Sequence, residues 1–163
     1  MDSEKKVTLR PARLSDAGSI FALVMAHPDE LVPKPVADIV AAIDRFVVAE
    51  AEGRIVGCAA YSILPEVGAV GRATVELQSV AVEKSHRRSG IGRALVETLL
   101  ARVKAFSPAE ALVLTFAPEF FGKLGFSEIP KSKVMHKLYS GCLHCTKYAD
   151  PFTCPEIAMS KKL

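Results

Sequence analysis

The chain has 163 residues, the length of one ordinary domain, and half of them are hydrophobic, which is enough apolar material for a real core. A formal net charge of +3, spread along the chain, falls short of the basic face that nucleic-acid binding needs and sets that partner class aside. The opening MDSEKKVTLR has no apolar leader core, and no window approaches the roughly 18 uninterrupted apolar residues of a membrane span, so the sequence predicts a soluble, cytoplasmic protein with no membrane partner.

No linker, repeat or low-complexity tract divides the chain, so residues 1–163 read as a single domain. KVTLRPA alternates as a strand does, and Ser15 and Asp16 suit an N-cap before a helix carrying Ile20, Leu23 and Val24. Pro33 and Pro35 break the chain, and Val36, Ile39, Val40 and Ile43 then recur at helical spacing. FVVAEAEGRIVGCAAYSIL predicts a hairpin turning at Ala51-Glu52-Gly53. A further strand covers residues 72 to 82, and Ile91, Leu95, Leu99 and Val103 form one stripe of a following helix. ALVLTF predicts a buried strand, Pro118 the opening of a last helix, and Gly125 its C-terminal cap before FSEI. The fold class is therefore mixed α/β of the α+β kind.

Cys58 lies in an apolar run, whereas Cys142, Cys145 and Cys154 cluster near the C-terminus. A CxxC pair with His136 or His144 has the spacing of zinc ligands, but the second pair of the usual four-ligand signature is missing. Reduced, local thiols fit a reducing cytosol, and no metal is assigned.

The strand at 72–82 carries an irregularity. Its large apolar residues are Val75 and Leu77, then Val80 and Val82, so the two-residue period slips near Gln78 to Val80. A β-bulge would return both halves to one face, and bulges occur beside active sites; a strand buried on both faces fits the pattern equally.

After this strand comes HRRSGIGRAL, residues 86 to 95. A tight basic loop with two glycines that runs into a helix N-terminus gathers several unpaired N–H groups at the positive end of the helix dipole. Such a place binds phosphate, and Arg87, Arg88 and Arg93 add positive charge. The GxGxxG of dinucleotide folds and the GxxxxGK of nucleotide triphosphatases are both absent, which disfavours those ligands. A glycine-rich helix entry with solvated arginines is the plain structural alternative.

These residues carry a resemblance. RRSGIG, Arg87 to Gly92, resembles the R/QxxGxG/A pyrophosphate loop of the GNAT superfamily of acyl-CoA N-acetyltransferases, and ELQSVAV resembles the family's bulged fourth strand. FFGKLGF, Phe120 to Phe126, is similar to its FYxKLGF segment, and TLRPARLSDAGSI to its opening strand and helix. More narrowly, ELVPK, FVVAE, APEFFGKLGF and the tail HKLYSGCLHCTKYADPFTCPEIAM resemble the short bacterial N-acetylglutamate synthases of arginine biosynthesis.

The resemblance implies a mostly antiparallel mixed sheet flanked by helices, acetyl-CoA as co-substrate, and no metal. It implies that the loop of Arg87, Arg88, Ser89, Gly90, Ile91, Gly92 and Arg93 holds the CoA pyrophosphate. Main-chain groups of Val80, Ala81 and Val82 would bind the pantetheine arm and the acetyl carbonyl. Glu76 occupies the place of a catalytic glutamate in related acetyltransferases, with a strand-surface carboxylate as the alternative. Phe121 replaces the family's common general acid, a tyrosine, so no acid is named. For a glutamate acceptor the resemblance points to Lys34 and Lys137, with Arg72 behind them, while Gln78 stands where those synthases carry an arginine. The small-molecule amine is thus glutamate, glutamine or a similar amino acid. A protein N-terminal acetyltransferase and a non-catalytic CoA-binding regulatory module stay open, as do a single copy and a homodimer.

Overall fold

The structure, a computed structural model, describes residues 6–66, 71–134, 142 and 145–163. In chain order its elements are β1 (Val7–Pro11), α1 (Ala17–Met25), α2 (Val36–Ala41), β2 (Phe46–Ala51), β3 (Arg54–Pro65), β4 (Ala73–Val82), α3 (Ile91–Val103), β5 (Glu110–Thr115), α4 (Pro118–Gly122), β6 (Ser127–Glu128) and β7 (Ile157–Lys162). The strands are hydrogen-bonded in the order β1-β2-β3-β4-β5-β7-β6. The β1–β2, β2–β3, β5–β7 and β6–β7 pairs are antiparallel and β4–β5 is parallel. Only the parallel pair needs a long crossover, and α3 lies within it. The mixed, mostly antiparallel sheet that the resemblance implies is the one observed.

Two compact units are present, each built from two stretches of chain. The first holds Met1–Tyr61 and Gln78–Ala101. Its β2–β3 hairpin closes through a two-residue turn in which Glu52 (φ 51°) and Gly53 (φ 76°) are both left-handed, the mirror-image turn that matches strand twist. Ile20, Val24, Ile39, Phe46, Val48, Cys58 and Ala60 form one cluster with Ala81. Gly57 serves a different neighbour. A methyl group there would stand 3.1 Å from Leu95 Cδ1, 3.2 Å from Ile91 Cγ2 and 3.3 Å from the Ala49 methyl, so only a bare backbone lets the first turns of α3 come this close.

Two expectations for this unit change. Asp16 does not cap α1: its carboxylate turns back to accept from the Arg13 N–H at 2.7 Å and from Arg10 at 2.7 and 3.0 Å. The second helix ends at Ala41, and a 3-10 turn carries Ile43–Arg45. Of its apolar positions Ile39 is fully buried, whereas Val36 and Val40 are exposed.

The second unit holds Ser62–Leu77 and Arg102–Leu163. Leu64, Leu112, Val134 and Ala158 form its core cluster. Phe121 packs edge-to-face on Phe120 and Phe126, with ring centroids 5.0 and 5.5 Å apart. Past the last residue of α4, the turn closes as expected at a left-handed Gly125, with the Phe126 N–H returning to the Phe121 carbonyl. The C-terminal strand β7 was not foreseen; it inserts between β5 and β6. No helix among the described residues is long and apolar enough to cross a membrane.

Candidate active site

The irregularity of β4 has one residue at its centre. Ser79 adopts φ 52°, a left-handed conformation that a non-glycine residue reaches only under constraint, and this breaks the alternation of the strand where the sequence period slips. Its carbonyl accepts from the Cys58 thiol at 3.4 Å. Burial pushes that thiol up to about 12, so it stays protonated and keeps the donor. Beyond Ser79 the burial is the reverse of the apolar pattern: Ala81 is buried in the core cluster, while the larger Val80 and Val82 are partly exposed.

The chain then leaves the sheet. The Glu83 N–H donates to Val56 at 2.8 Å, Lys84–His86 form a 3-10 turn, and Arg88 (φ 63°) and Gly90 (φ 83°) bend the backbone into α3. The first helical hydrogen bond runs from Ala94 to the Gly90 carbonyl at 3.0 Å, which leaves the N–H groups of Ile91, Gly92 and Arg93 without an intrahelical acceptor. Arg87, Arg88, Ser89 and Gly90 are exposed around them, and Ile91 is buried beneath.

The three arginines of the loop differ in state. Arg87 donates to both oxygens of Glu30, at 3.0 and 2.8 Å, and through Nε to the Val82 carbonyl at 3.2 Å. Arg93 pairs with Glu97 one turn along α3, at 2.7 Å. Arg88 makes no hydrogen bond or ion pair with a described side chain. Bare first-turn amides, a glycine entry and an exposed cation suit a diphosphate.

The other predicted residues are distributed as follows. Lys34 donates to Gln78 Oε1 at 2.9 Å, and its ammonium lies 5.9 Å from the centre of the Phe46 ring. Glu76, in the second unit, is buried on β4 opposite Leu112 of β5, which removes the strand-surface alternative. Arg72 is exposed and pairs with Glu66 at 3.4 Å. Lys137, His136 and His144 lie outside the described residues. Cys142, Cys145 and Cys154 are free thiols, and no group of three or more metal-ligating side chains occurs among the described residues. A groove of about 740 Å³ in the first unit is lined by Arg10, Asp16, His27, Glu50 and Arg54, and by none of the predicted site residues.

The acetyltransferase (GNAT) domain family matches residues 42–128, more than half of the chain and including β4, the basic loop and α3. The chain belongs to the GNAT acetyltransferase family. As a GNAT enzyme it takes acetyl-CoA as co-substrate, and the amide-rich start of α3 fits the diphosphate of that molecule. An uncharacterised N-acetyltransferase of Chlorobaculum tepidum is 34% identical over 95% of this chain and 96% of its own length. An amino-acid acetyltransferase of Mycobacterium tuberculosis is 33% identical over 80% of this chain and 74% of its own. The crystal structure of Rv2747 from Mycobacterium tuberculosis, in complex with CoA and a second ligand, superposes with a TM-score of 0.78 at 28% identity, covering 96% of this chain and 99% of that one.

Sequence reasoning missed three links among these residues: Glu30 on Arg87, Gln78 on Lys34, and Cys58 on Ser79. Each joins residues at least 21 positions apart, and no local periodicity signals them.

Proposed function

We propose that the protein moves the acetyl group of acetyl-CoA to the α-amine of a small amino acid, L-glutamate first, by direct attack in a ternary complex, as in the first step of arginine biosynthesis. The observation that carries the acceptor class is Lys34, a cation fixed on the residue next to the Ser79 irregularity, where it suits a carboxylate. Likeness to the M. tuberculosis amino-acid acetyltransferase over most of both chains points the same way. That the family match spans parts of both units supports residues 1–163 as one acetyltransferase domain.

In this reading the amides of residues 87–93 hold the pyrophosphate, and main-chain groups of Val80, Ala81 and Val82 hold the pantetheine arm and the thioester carbonyl. An N–H on that carbonyl stabilises the oxyanion by roughly 3 to 4 kcal/mol. An aliphatic ammonium must lose a proton before it attacks, and Glu76 is the base. The C–N bond forms, the C–S bond breaks, the CoA thiolate leaves without a tyrosine acid, and the second amine proton passes to that thiolate or to water. Phe121 offers no proton, and a thiol with a pKa near about 8.5 is a tolerable leaving group at neutral pH. Lys34 and Lys137 receive the acceptor's carboxylates.

Thiol release measured with glutamate, glutamine, aspartate and a short peptide tests the reading. Turnover with glutamate or another free amino acid is expected. Preference for the peptide would move the protein to the N-terminal acetyltransferases, and acetyl-CoA binding without any turnover would make it a regulatory module.

A further inference from the structure

We propose that Gln78 is a positioning residue for the acceptor: its side-chain carbonyl holds the Lys34 ammonium in place before substrate arrives and leaves the charge intact. This rests on the reading of Lys34 as a carboxylate receptor.

Three features fix the lysine. Pro33 and Pro35 flank it and restrict the backbone on both sides. Its ammonium lies 5.9 Å from the centre of the fully buried Phe46 ring. Gln78 Oε1 accepts one of its protons at 2.9 Å. A free lysine loses much rotamer freedom when it clamps a ligand, and one already held loses little.

The chemistry of residue 78 matters as much as its reach. An amide carbonyl engages one N–H of an ammonium and carries no charge, so this bond does not cancel the cation. A carboxylate at this position would hold the lysine more tightly and cancel it. An arginine at this position would instead repel the lysine and receive a carboxylate itself. Gln78 thereby adds no second cation beside Lys34 and gives that ammonium a fixed direction. Its chain position is the second point: residue 78 immediately precedes Ser79, so the tether and the irregularity of the strand are one local structure.

The test is a mutant cycle on the full chain, with thiol release from saturating acetyl-CoA and the amino acid that the parent turns over fastest. Gln78→Met keeps length and removes the carbonyl. It should raise the acceptor KM about 5- to 20-fold with kcat within about twofold and acetyl-CoA affinity by calorimetry unchanged, the pattern of lost binding with intact chemistry. Gln78→Glu should raise KM further, and it carries the test if the Met variant does not fold. Because Gln78 acts through Lys34, the Lys34→Met, Gln78→Met double variant should be no worse than Lys34→Met alone. An unchanged KM in Gln78→Met, or a full additional loss in the double variant, overturns the tether while Lys34 keeps its role. A Lys34→Met variant with the parent KM, or a parent inactive on every amino acid, overturns the acceptor reading and the tether with it.

Discussion

The Arg87 guanidinium and the Glu30 carboxylate meet face to face, with parallel hydrogen bonds of 3.0 and 2.8 Å. Glu30 belongs to the loop after α1 and Arg87 opens the basic loop before α3, so the pair ties two segments 57 residues apart. The geometry is bidentate, yet both side chains are substantially exposed, 37% and 53%, and its contribution to stability is small. Its larger effect is electrostatic: if the loop holds the acetyl-CoA diphosphate as proposed, Glu30 partly cancels a cation beside it. Glu30→Gln should tighten acetyl-CoA binding by about 2- to 5-fold at low ionic strength, an advantage that fades toward 1 M salt as screening sets in. Calorimetry at two salt concentrations reads it, and weaker binding at low salt would show that Glu30 serves the loop by placing Arg87.

Gly92 sits in the first turn of α3, where N–H groups have no helical acceptor. If this loop holds the diphosphate as proposed, Gly92→Leu puts a branched side chain in the path of the phosphate oxygens and should weaken acetyl-CoA binding at least about 10-fold, with the melting temperature close to the parent's. Unchanged affinity in the folded variant would remove the diphosphate from this loop.

Glu76 is buried, and glutamine replaces it at equal volume. If it is the base, Glu76→Gln should bind acetyl-CoA normally and lose roughly 100-fold or more in turnover at pH 7, recovering as rising pH deprotonates the amine unaided. A pH–rate profile parallel to the parent's would assign the proton transfer elsewhere.

The Arg10–Asp16 pair gives a pH prediction. Arg10 holds the Asp16 carboxyl below its ordinary value of 3.8, against the opposing effect of burial. A carboxylate with a lowered folded-state pKa stabilises fully above its unfolded value and loses that contribution as pH falls through the folded one. Asp16→Asn should therefore cost about 2 kcal/mol at neutral pH, the scale of hydrogen bonds to charged groups. The gap to the parent should hold down to about pH 4 and close below 3.8, read by urea unfolding across that range.

What the sequence made legible was local. The two-residue hairpin turn, the Gly125 cap and the basic glycine loop each lie within a few neighbouring residues, and all stand where periodicity and turn chemistry put them. Asp16 looked like a helix cap because Ser15-Asp16 precedes an apolar stripe. Its partner Arg10 lies in the preceding strand and is shared with Glu50, 40 residues away, and a charged pair outweighed an ordinary cap. The last strand escaped because IAMSKK is short, and its pairing partner β5 begins 47 residues earlier. In the site, Gln78 was legible as a departure from the synthase pattern, but its link to Lys34 spans 44 residues and only the folded chain displays it.

Gly57 carries no functional group, pairs with Ala49 in mid-sheet and is far in sequence from the basic loop. Yet Ile91 and Leu95 rest against its bare backbone, and Ile91 is the residue at which the helix begins. The height of the amide cluster above the sheet is thus gauged from underneath. One added carbon would force Ile91 and Leu95 to yield by a few tenths of an ångström or lift the helix, at about 1 to 3 kcal/mol for an overpacked core. A saturation screen scored on acetyl-CoA affinity would then mark Gly57 as intolerant alongside Gly92, and a map of ligand-touching residues would omit it.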